Sequence, residues 1–209
     1  LSRCFEMMVE DGSLEVLKLL SSTSSKIAQG EVLQLQHQGE VDMLEETYLK
    51  IISAKTAELF AASTKVGAIL SNMKNKEKEA LEFYGRNLGL TFHIADDTLD
   101  YNSELKKFGK KIGQDFYEGK VTLPIILLFQ KANKEERDKL KDIFSKDVRS
   151  ENELVYTSSL IKKYNVIKGC YQKAEHYINL ASNSLSLFND CEEKSILENL
   201  TSFSLARNF

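Results

Sequence analysis

Residues 81–100, LEFYGRNLGLTFHIADDTLD, carry an apolar face and an acidic face on one segment. Apolar side chains recur there at steps of three and four, which predicts an amphipathic helix packed along one stripe. The stripe consists of Leu81, Tyr84, Leu88, Phe92, Ala95 and Leu99. A second set of residues is polar and lies on another face of that helix, because its members are spaced i, i+3, i+4 and i+7. These residues are His93, Asp96, Asp97 and Asp100. The segment therefore predicts a packed helix that presents three carboxylates together.

The rest of the chain is also predicted to be helical. Its 209 residues include only 10 glycines and 1 proline, the residues that interrupt helices most strongly. Segment 102–119 is glycine-rich and predicts a loop, and Pro124 suits the first turn of a helix. Helical periodicity marks segments 14–36, 42–70, 135–144, 151–164, 168–187 and 194–205. The sequence therefore predicts an all-α fold with a single domain over residues 1–209, without an internal repeat or a linker.

Local signals predict the start and the buried face of the helix over residues 42–70. Asp42, followed three residues later by Glu45, resembles a capping pair at the start of a helix. The expected apolar stripe runs through Leu44, Tyr48, Ile51, Ile52, Leu59 and Val66.

Composition excludes several classes of function. The net charge is -3 and no basic tract is present, so a nucleic-acid partner is not expected. The longest uncharged apolar run near the middle, residues 121–130, is too short for a transmembrane segment. The three cysteines, Cys4, Cys170 and Cys191, lack zinc-site spacing and are odd in number. A cytoplasmic protein with reduced thiols is the simplest interpretation.

Two interpretations of the acidic face remain open at the level of the residues. Like charges at these helical spacings destabilise a helix by roughly 0.2–0.5 kcal/mol per pair, which favours a bound cation. Mg²⁺ is suited to the place because it takes one or two carboxylates and completes its octahedron with water and phosphate oxygens. The alternative is a solvated acidic face, balanced by the nearby lysines Lys106, Lys107, Lys110 and Lys111.

Basic and hydrogen-bonding residues flank the acidic face in the sequence. The glycines of GKKIGQDFYEGKVTLP, residues 109–124, would let the backbone approach a ligand closely. The lysine of SAKTAELF, residues 53–60, would supply a point charge, although a lysine in that position more often extends to water. Candidate partners for a diphosphate are Glu31, Gln34, Lys55, Thr56, Lys110 and Lys120.

Four blocks together resemble the trans-isoprenyl diphosphate synthases, or polyprenyl synthetases, and most closely the long-chain octaprenyl type. FHIADDTLDY is similar to the second aspartate-rich motif of that family, and GKKIGQDFYEGKVTLP is similar to the segment that follows it. GEVLQL and YLKIISAKTAELF match the preceding helices. The blocks occur in family order from Gly30 to Pro124, so the resemblance extends over much of the chain.

The resemblance implies an isoprenoid-synthase-type helical bundle and a head-to-tail condensation of an allylic prenyl diphosphate with isopentenyl diphosphate. It implies Mg²⁺ as cofactor, with Asp96, Asp97 and Asp100 as its ligands. The catalytic set would comprise these aspartates with Lys55 and Lys110. The diphosphate would be held by Gln34, Lys55, Thr56, His93, Lys110 and Lys120. The complete enzyme would be a homodimer.

The sequence also departs from the family pattern. The family has two aspartate-rich motifs, the first followed by paired arginines, whereas this chain has one adjacent aspartate pair and no Arg–Arg pair. His93 stands where the family usually has glutamine. We therefore expect the chain to correspond to the C-terminal two-thirds of the family fold, N-terminally incomplete and impaired in catalysis by itself. The alternatives are a non-catalytic helical partner subunit, a decayed fragment of a synthase, or a helical module without a ligand.

Overall fold

The fold was obtained as a computed structural model that describes residues 2–101 and 113–206. Within these ranges every regular element is a helix, which confirms the predicted all-α class. The α-helices are α1 (Ser2–Asp11), α2 (Leu14–Gln36), α3 (Glu45–Ile52), α4 (Glu58–Leu70), α5 (Asn75–Leu99), α6 (Gln114–Glu118), α7 (Leu123–Lys131), α8 (Lys134–Phe144), α9 (Glu151–Lys163), α10 (Val166–Ser184) and α11 (Glu192–Ala206). A π-turn, Ser53–Ala57, joins α3 to α4, and a 3₁₀ turn, Leu185–Leu187, follows α10. No described helix is long and apolar enough to cross a membrane.

Helix α5 lies at the centre of the bundle and packs between α4 and α10. Of its predicted apolar stripe, Tyr84, Leu88 and Ala95 are buried, and the other three members are half-buried. The backbone of α5 also approaches the preceding helix closely, since a Cβ atom on Gly89 would lie 2.6 Å from Ala57 Cα. The acidic residues of α5 are therefore held on a helix whose position is fixed from two sides.

Two local predictions for the segment before α4 are wrong. Asp42 does not cap a helix: α3 begins at Glu45 after Leu44, and residues 41–42 form a turn. The Asp42 carboxylate instead pairs with Lys141 Nζ at 3.1 Å, because the turn brings it beside α8. Leu44 and Leu59 are exposed, so the apolar stripe expected there does not continue through them.

Segment 102–119 was predicted to be a loop, and its described part contains a short helix. Helix α6 is enclosed by Gly113 and Gly119, whose φ angles of 83° and 74° lie in the left-handed region that glycine tolerates best. Pro124 occupies the first turn of α7, as the sequence predicts.

The junction of α8 with α9 predicts a pH-dependent contribution to stability. The Glu136 carboxylate accepts hydrogen bonds from Lys163 Nζ and Tyr164 Oη, both at 2.6 Å, and these bonds lower its pKa to about 2. Because the folded-state pKa lies below the usual 4.5, the contribution is present above pH 4.5 and is lost as pH falls toward 2. Glu136→Gln should therefore flatten the acid limb of a plot of unfolding free energy against pH, measured by urea titration. An unchanged acid limb would contradict this assignment.

Candidate active site

The π-turn Ser53–Ala57 presents two adjacent predicted site residues, Lys55 and Thr56. Such single turns inside α-helices occur frequently at functional sites. Helix α2 approaches the turn at Gly30, where a Cβ atom would come within 2.7 Å of the Lys55 backbone nitrogen. The turn is thus held directly between α2 on one side and, at Gly89, α5 on the other.

Lys55 and Thr56 reach different helices from this turn. Lys55 Nζ donates to Gln34 Oε1 at 2.6 Å and pairs with Glu31 Oε2 at 2.5 Å, both on α2. Thr56 Oγ1 hydrogen-bonds His93 Nδ1 on α5 at 2.6 Å. The two residues therefore join the upstream helix to the helix of the acidic motif.

A cavity of about 420 Å³ opens between α2, α3 and the segment around Lys120. Its polar lining includes Gln34, Lys55 and Lys120, which the sequence predicts to bind one diphosphate. Its complete lining consists of Glu31, Gln34, Leu35, His37, Gln38, Met43, Tyr48, Ile51, Lys55, Glu118, Lys120 and Val121. The cavity thus brings together residues that are up to 90 positions apart in the chain, and its lining combines apolar side chains with the two lysines.

Asp97 lies behind the wall of this cavity. Its carboxylate is buried, and Oδ2 accepts a hydrogen bond of 2.7 Å from the hydroxyl of Tyr48, which lines the cavity. Its Oδ1 lies 3.5 Å from His93 Nε2. Burial raises the pKa of Asp97 to about 6, although the charge of His93 and the Tyr48 bond favour ionisation. Asp97 is therefore held from two directions next to the cavity.

Asp100 is buried at the end of α5 and is bonded to the start of α6. Its Oδ1 accepts the Gln114 amide at 3.1 Å, and its Oδ2 accepts the Asp115 amide at 2.9 Å. These two amides belong to the first turn of a helix, where backbone donors lack partners within the helix itself. Asp100 thus fixes α6 to the end of α5.

Lys120 enters the cavity from the chain that follows α6. Its Nζ lies 2.6 Å from Glu118 Oε2 and 3.1 Å from Asp115 Oδ1. Burial disfavours the charge of Lys120, but the hydrogen bonds and charges of these two carboxylates prevail and raise its pKa. Lys120 therefore carries a positive charge at the cavity wall.

The predicted site residues form two connected groups. Gln34, Lys55 and Lys120 line the cavity directly, whereas Thr56, His93 and Asp97 form a chain of contacts behind it. Asp96 is half-buried on the same helix. Lys110 lies outside the described residues, as do Lys106, Lys107 and Lys111.

Tyr48 is a site residue that the sequence interpretation missed. The spacing of Tyr48 with Ile51 and Ile52 identified it as part of an apolar stripe, and its ring is indeed buried. Its hydroxyl nevertheless bonds to a carboxylate 49 positions away. A buried phenol usually needs a polar partner, and that requirement was the signal available in the sequence.

The carboxylates of the acidic motif fit a magnesium ion only if water and the oxygens of a bound diphosphate complete its coordination. Among residues 2–101 and 113–206, no three acidic, histidine or cysteine side chains are grouped to hold a metal. An ionised carboxylate has about four acceptor positions, so Asp97 retains capacity beyond its Tyr48 bond. Mg²⁺ commonly uses one or two carboxylates and takes its other ligands from water and phosphate. The donors fit that mode of binding.

The close approach of α2 at Gly30 gives a prediction for the π-turn. Gly30→Ala should displace the turn, because the new Cβ would lie 2.7 Å from the Lys55 nitrogen and 2.9 Å from Ala54 Cβ. We expect a loss of about 1–3 kcal/mol of unfolding free energy, as for other overpacked sites, measured by urea titration. Gly67→Ala is the matched control, because a Cβ atom there meets nothing within 4 Å. Equal stability of the two variants would contradict the tight contact at Gly30.

Comparison with known protein families identifies one match to most of the chain. The family model described as Polyprenyl synthetase matches residues 1–161. The chain is 34% identical over 207 residues to an all-trans-nonaprenyl-diphosphate synthase (geranyl-diphosphate specific) of Rhodobacter capsulatus, covering 99% of this chain and 63% of that protein. It is 44% identical over 125 residues to the octaprenyl diphosphate synthase of Escherichia coli (strain K12), covering 60% of this chain and 39% of that protein. The chain thus spans less than two-thirds of the length of these relatives.

Solved structures show the same helical arrangement. A decaprenyl diphosphate synthase from Rhodobacter capsulatus superposes with a TM-score of 0.93 at 32% identity, covering 100% of this chain and 64% of that one. A polyprenyl synthase from Caulobacter crescentus CB15, complexed with calcium and isoprenyl diphosphate, gives a TM-score of 0.94 at 36% identity, covering 100% of this chain and 63% of that one. These similarities confirm the predicted isoprenoid-synthase-type fold.

Proposed function

The chain belongs to the polyprenyl synthetase family, and from that membership we propose that it carries part of a polyprenyl diphosphate synthase site. The reaction is the Mg²⁺-dependent head-to-tail condensation of isopentenyl diphosphate with an allylic prenyl diphosphate. The single observation that carries this proposal is the cavity into which Lys55 and Lys120 both project beside an apolar wall. Such a cavity has the chemistry to take a charged head group and a prenyl chain together.

The diphosphate is held by the polar side of the cavity in this proposal. Lys55 and Lys120 supply two positive charges from different elements, and Gln34 supplies an amide donor. Thr56, next to Lys55 on the π-turn, and His93 on α5 extend this group, and Lys110 is assigned to it from the sequence. Positive partners on more than one side orient a diphosphate, which places the reacting carbon.

Mg²⁺ is assigned to the acidic side of the same site. Asp96 and Asp97 would hold it, with Asp100 as a third predicted ligand. When bound, Mg²⁺ neutralises charge that develops on a diphosphate leaving group. Support comes from the donor chemistry and from the Caulobacter crescentus relative, which binds calcium and isoprenyl diphosphate.

The apolar wall of the cavity accommodates the prenyl chain. It consists of Leu35, Met43, Ile51 and Val121, which line the same cavity as the charged residues. An apolar surface there excludes water from the region where the allylic carbon becomes electron-deficient, and it strengthens the electrostatic contacts of the diphosphate. A homodimer and a cytoplasmic location remain predictions from the family pattern and composition.

A condensation assay with radiolabelled isopentenyl diphosphate tests this function. With one aspartate pair and no Arg–Arg pair, the 209-residue chain should bind an allylic diphosphate weakly with Mg²⁺ and elongate it little. A polypeptide that carries a second DDxxD motif followed by two arginines should restore elongation when added. Heat-stability measurements with Mg²⁺ and a prenyl diphosphate provide the binding readout, because a ligand of the folded state stabilises it by mass action. No stabilisation, together with no elongation in either mixture, would refute the function.

The Glu31–Lys55 ion pair gives a prediction for ligand affinity. In the free chain the Glu31 carboxylate forms an ion pair with Lys55 Nζ. Glu31 also lines the cavity proposed to bind the diphosphate, so its negative charge opposes the binding of that anion. Glu31→Gln should therefore tighten the binding of Mg²⁺ with geranyl diphosphate by about two- to fivefold, since exposed pairs contribute up to roughly 1 kcal/mol and each 1.4 kcal/mol is a factor of ten in affinity. Isothermal titration calorimetry measures the change. Weaker binding would instead identify Glu31 as a ligand of the metal.

A further inference from the structure

We propose that Tyr48 is a positioning residue of the site and acts through the carboxylate of Asp97. The inference rests on the proposed function and adds to it a residue outside the aspartate-rich motif. Tyr48 belongs to α3, whereas Asp97 belongs to α5. Their hydrogen bond therefore connects the wall of the cavity to the predicted metal ligand.

The geometry of Tyr48 allows one well-defined contact with the acidic motif. The residue is only 2% exposed, and its hydroxyl donates to Asp97 Oδ2 at 2.7 Å. A hydrogen bond of this length from a neutral donor to a carboxylate is charge-assisted and stronger than a neutral one. Because the Tyr48 ring is enclosed, its hydroxyl cannot follow the carboxylate to another rotamer. Tyr48 thus fixes the direction in which the Asp97 oxygens point.

The other side of Asp97 is part of the same arrangement. Oδ1 faces His93 Nε2 at 3.5 Å, and His93 Nδ1 contacts the Thr56 hydroxyl at 2.6 Å. Asp97 therefore connects Tyr48 to a residue proposed to contact the diphosphate. Loss of the Tyr48 bond would free one oxygen of the carboxylate and loosen the orientation of this chain of contacts.

A buried tyrosine with a purely structural role does not require a carboxylate such as Asp97 as the partner of its hydroxyl. Tyr84, which is also fully buried, satisfies its hydroxyl by donating to the Leu197 backbone carbonyl at 2.8 Å. Tyr48 instead uses a carboxylate of the acidic motif at the wall of the cavity that contains Lys55 and Lys120. Residues that orient metal ligands in this way typically change metal affinity by about 10- to 100-fold when replaced.

Tyr48→Phe and its matched control Tyr84→Phe test the proposal. Each substitution removes one hydroxyl from a buried tyrosine, so both should reduce stability to a similar extent in urea titrations. The affinity for Mg²⁺ with geranyl diphosphate, measured by calorimetry, should fall about 10- to 100-fold in Tyr48→Phe and stay within twofold in Tyr84→Phe. Equal affinity in the two variants would overturn the role of Tyr48. Absence of binding by the unmodified chain would instead count against the proposed function.

A double-mutant cycle with Asp97→Asn shows whether Tyr48 acts through Asp97. If it does, the combined variant should bind the probe no more weakly than Asp97→Asn alone, because the second change has nothing left to disturb. Additive losses would mean that Tyr48 contacts the ligand independently, and the positioning role would be wrong.

A measurement on the unmodified chain covers the case in which Tyr48→Phe does not fold. With tyrosines labelled with ¹³C at Cζ, the resonance of Tyr48 should shift when Mg²⁺ and geranyl diphosphate are added, since a cation on Asp97 alters the acceptor of its hydroxyl. The resonance of Tyr84 should not move. A Tyr48 resonance that stays in place while the probe binds would overturn the proposal.

Discussion

Lys55→Met should weaken the binding of Mg²⁺ with geranyl diphosphate by about 30- to 150-fold. Lys55 projects into the cavity from the π-turn, where Gln34 and Glu31 hold its amine in one place. A hydrogen bond to a charged group contributes about 1.5–3 kcal/mol. A diphosphate bound without the Lys55 amine would lose most of this free energy of binding. Because each 1.4 kcal/mol is a factor of ten in affinity, a loss of about 2–3 kcal/mol gives the expected range.

Lys50→Met is the matched control for this experiment. Lys50 lies one turn earlier on α3, and its amine forms an exposed pair with Glu46 at 2.7 Å. The two substitutions remove the same charge from neighbouring positions, so a general effect of net charge would appear in both. Calorimetry at constant ionic strength should show a change of less than twofold for Lys50→Met. Similar losses in the two variants would mean that the diphosphate is attracted by overall charge and has no specific contact with Lys55.

The parts of the fold that depend on regular helical spacing could be predicted from the sequence. The stripe through Tyr84, Leu88 and Ala95 is buried on α5 as expected, because α5 is an uninterrupted helix over which a period of 3.6 residues holds. The bounds of α2 and the place of Pro124 in α7 also follow from local signals. These features depend on residues that are near one another in the chain.

The π-turn limits the same reasoning between α3 and α4. A strictly regular helix would place Leu59 on the buried face, but Leu59 is exposed and Glu58 is buried in its place. Glu58 pairs with Lys26 and Arg86, both at 2.5 Å, and although burial opposes its ionisation these partners lower its pKa. Helical periodicity carries no information on a change from α- to π-helix. The burial of Glu58 in place of Leu59 could therefore not be predicted from the sequence.

The sequence indicated which residues belong to the candidate site, but it did not indicate which side chains they contact. Lys55, Gln34 and Lys120 were expected around one ligand, and they do line one cavity. Their partners were not foreseen, because the Tyr48–Asp97 bond joins residues 49 positions apart and depends on how α3 packs on α5. Sequence spacing reports which residues share a face, whereas tertiary packing decides what that face meets.

Asp100→Ala should detach α6 from the end of α5 and destabilise the site around Lys120. The Asp100 carboxylate is buried, and it accepts the backbone amides of the exposed Gln114 and the half-buried Asp115 at the start of α6. Removing it leaves those donors without this partner, and replacing a capping side chain by alanine costs about 0.5–2 kcal/mol. A hydrogen bond to a charged group contributes about 1.5–3 kcal/mol, and Asp100 accepts two such bonds. We therefore expect a loss of about 2–4 kcal/mol in the local opening free energy of this segment.

Hydrogen exchange followed by mass spectrometry measures this effect where it should occur. Protection of residues 114–119 should fall by roughly 30- to 1,000-fold in Asp100→Ala, since each 1.4 kcal/mol is a factor of ten. The central part of α5, which packs between α4 and α10, should keep its protection. Asp100→Asn is the matched variant, because its amide oxygen can still accept one of the two amides, and it should show an intermediate loss.

The same variants separate the capping role of Asp100 from its predicted role as a metal ligand. If capping dominates, affinity for Mg²⁺ with geranyl diphosphate should follow the protection of α6, so Asp100→Asn should retain more binding than Asp100→Ala. If metal coordination dominates, both variants should lose binding equally, because neither supplies a carboxylate. Since both Asp100 oxygens already accept backbone amides, we expect the graded result. An equal loss of affinity in the two variants, with unequal protection of α6, would show that the carboxylate acts chiefly on the metal.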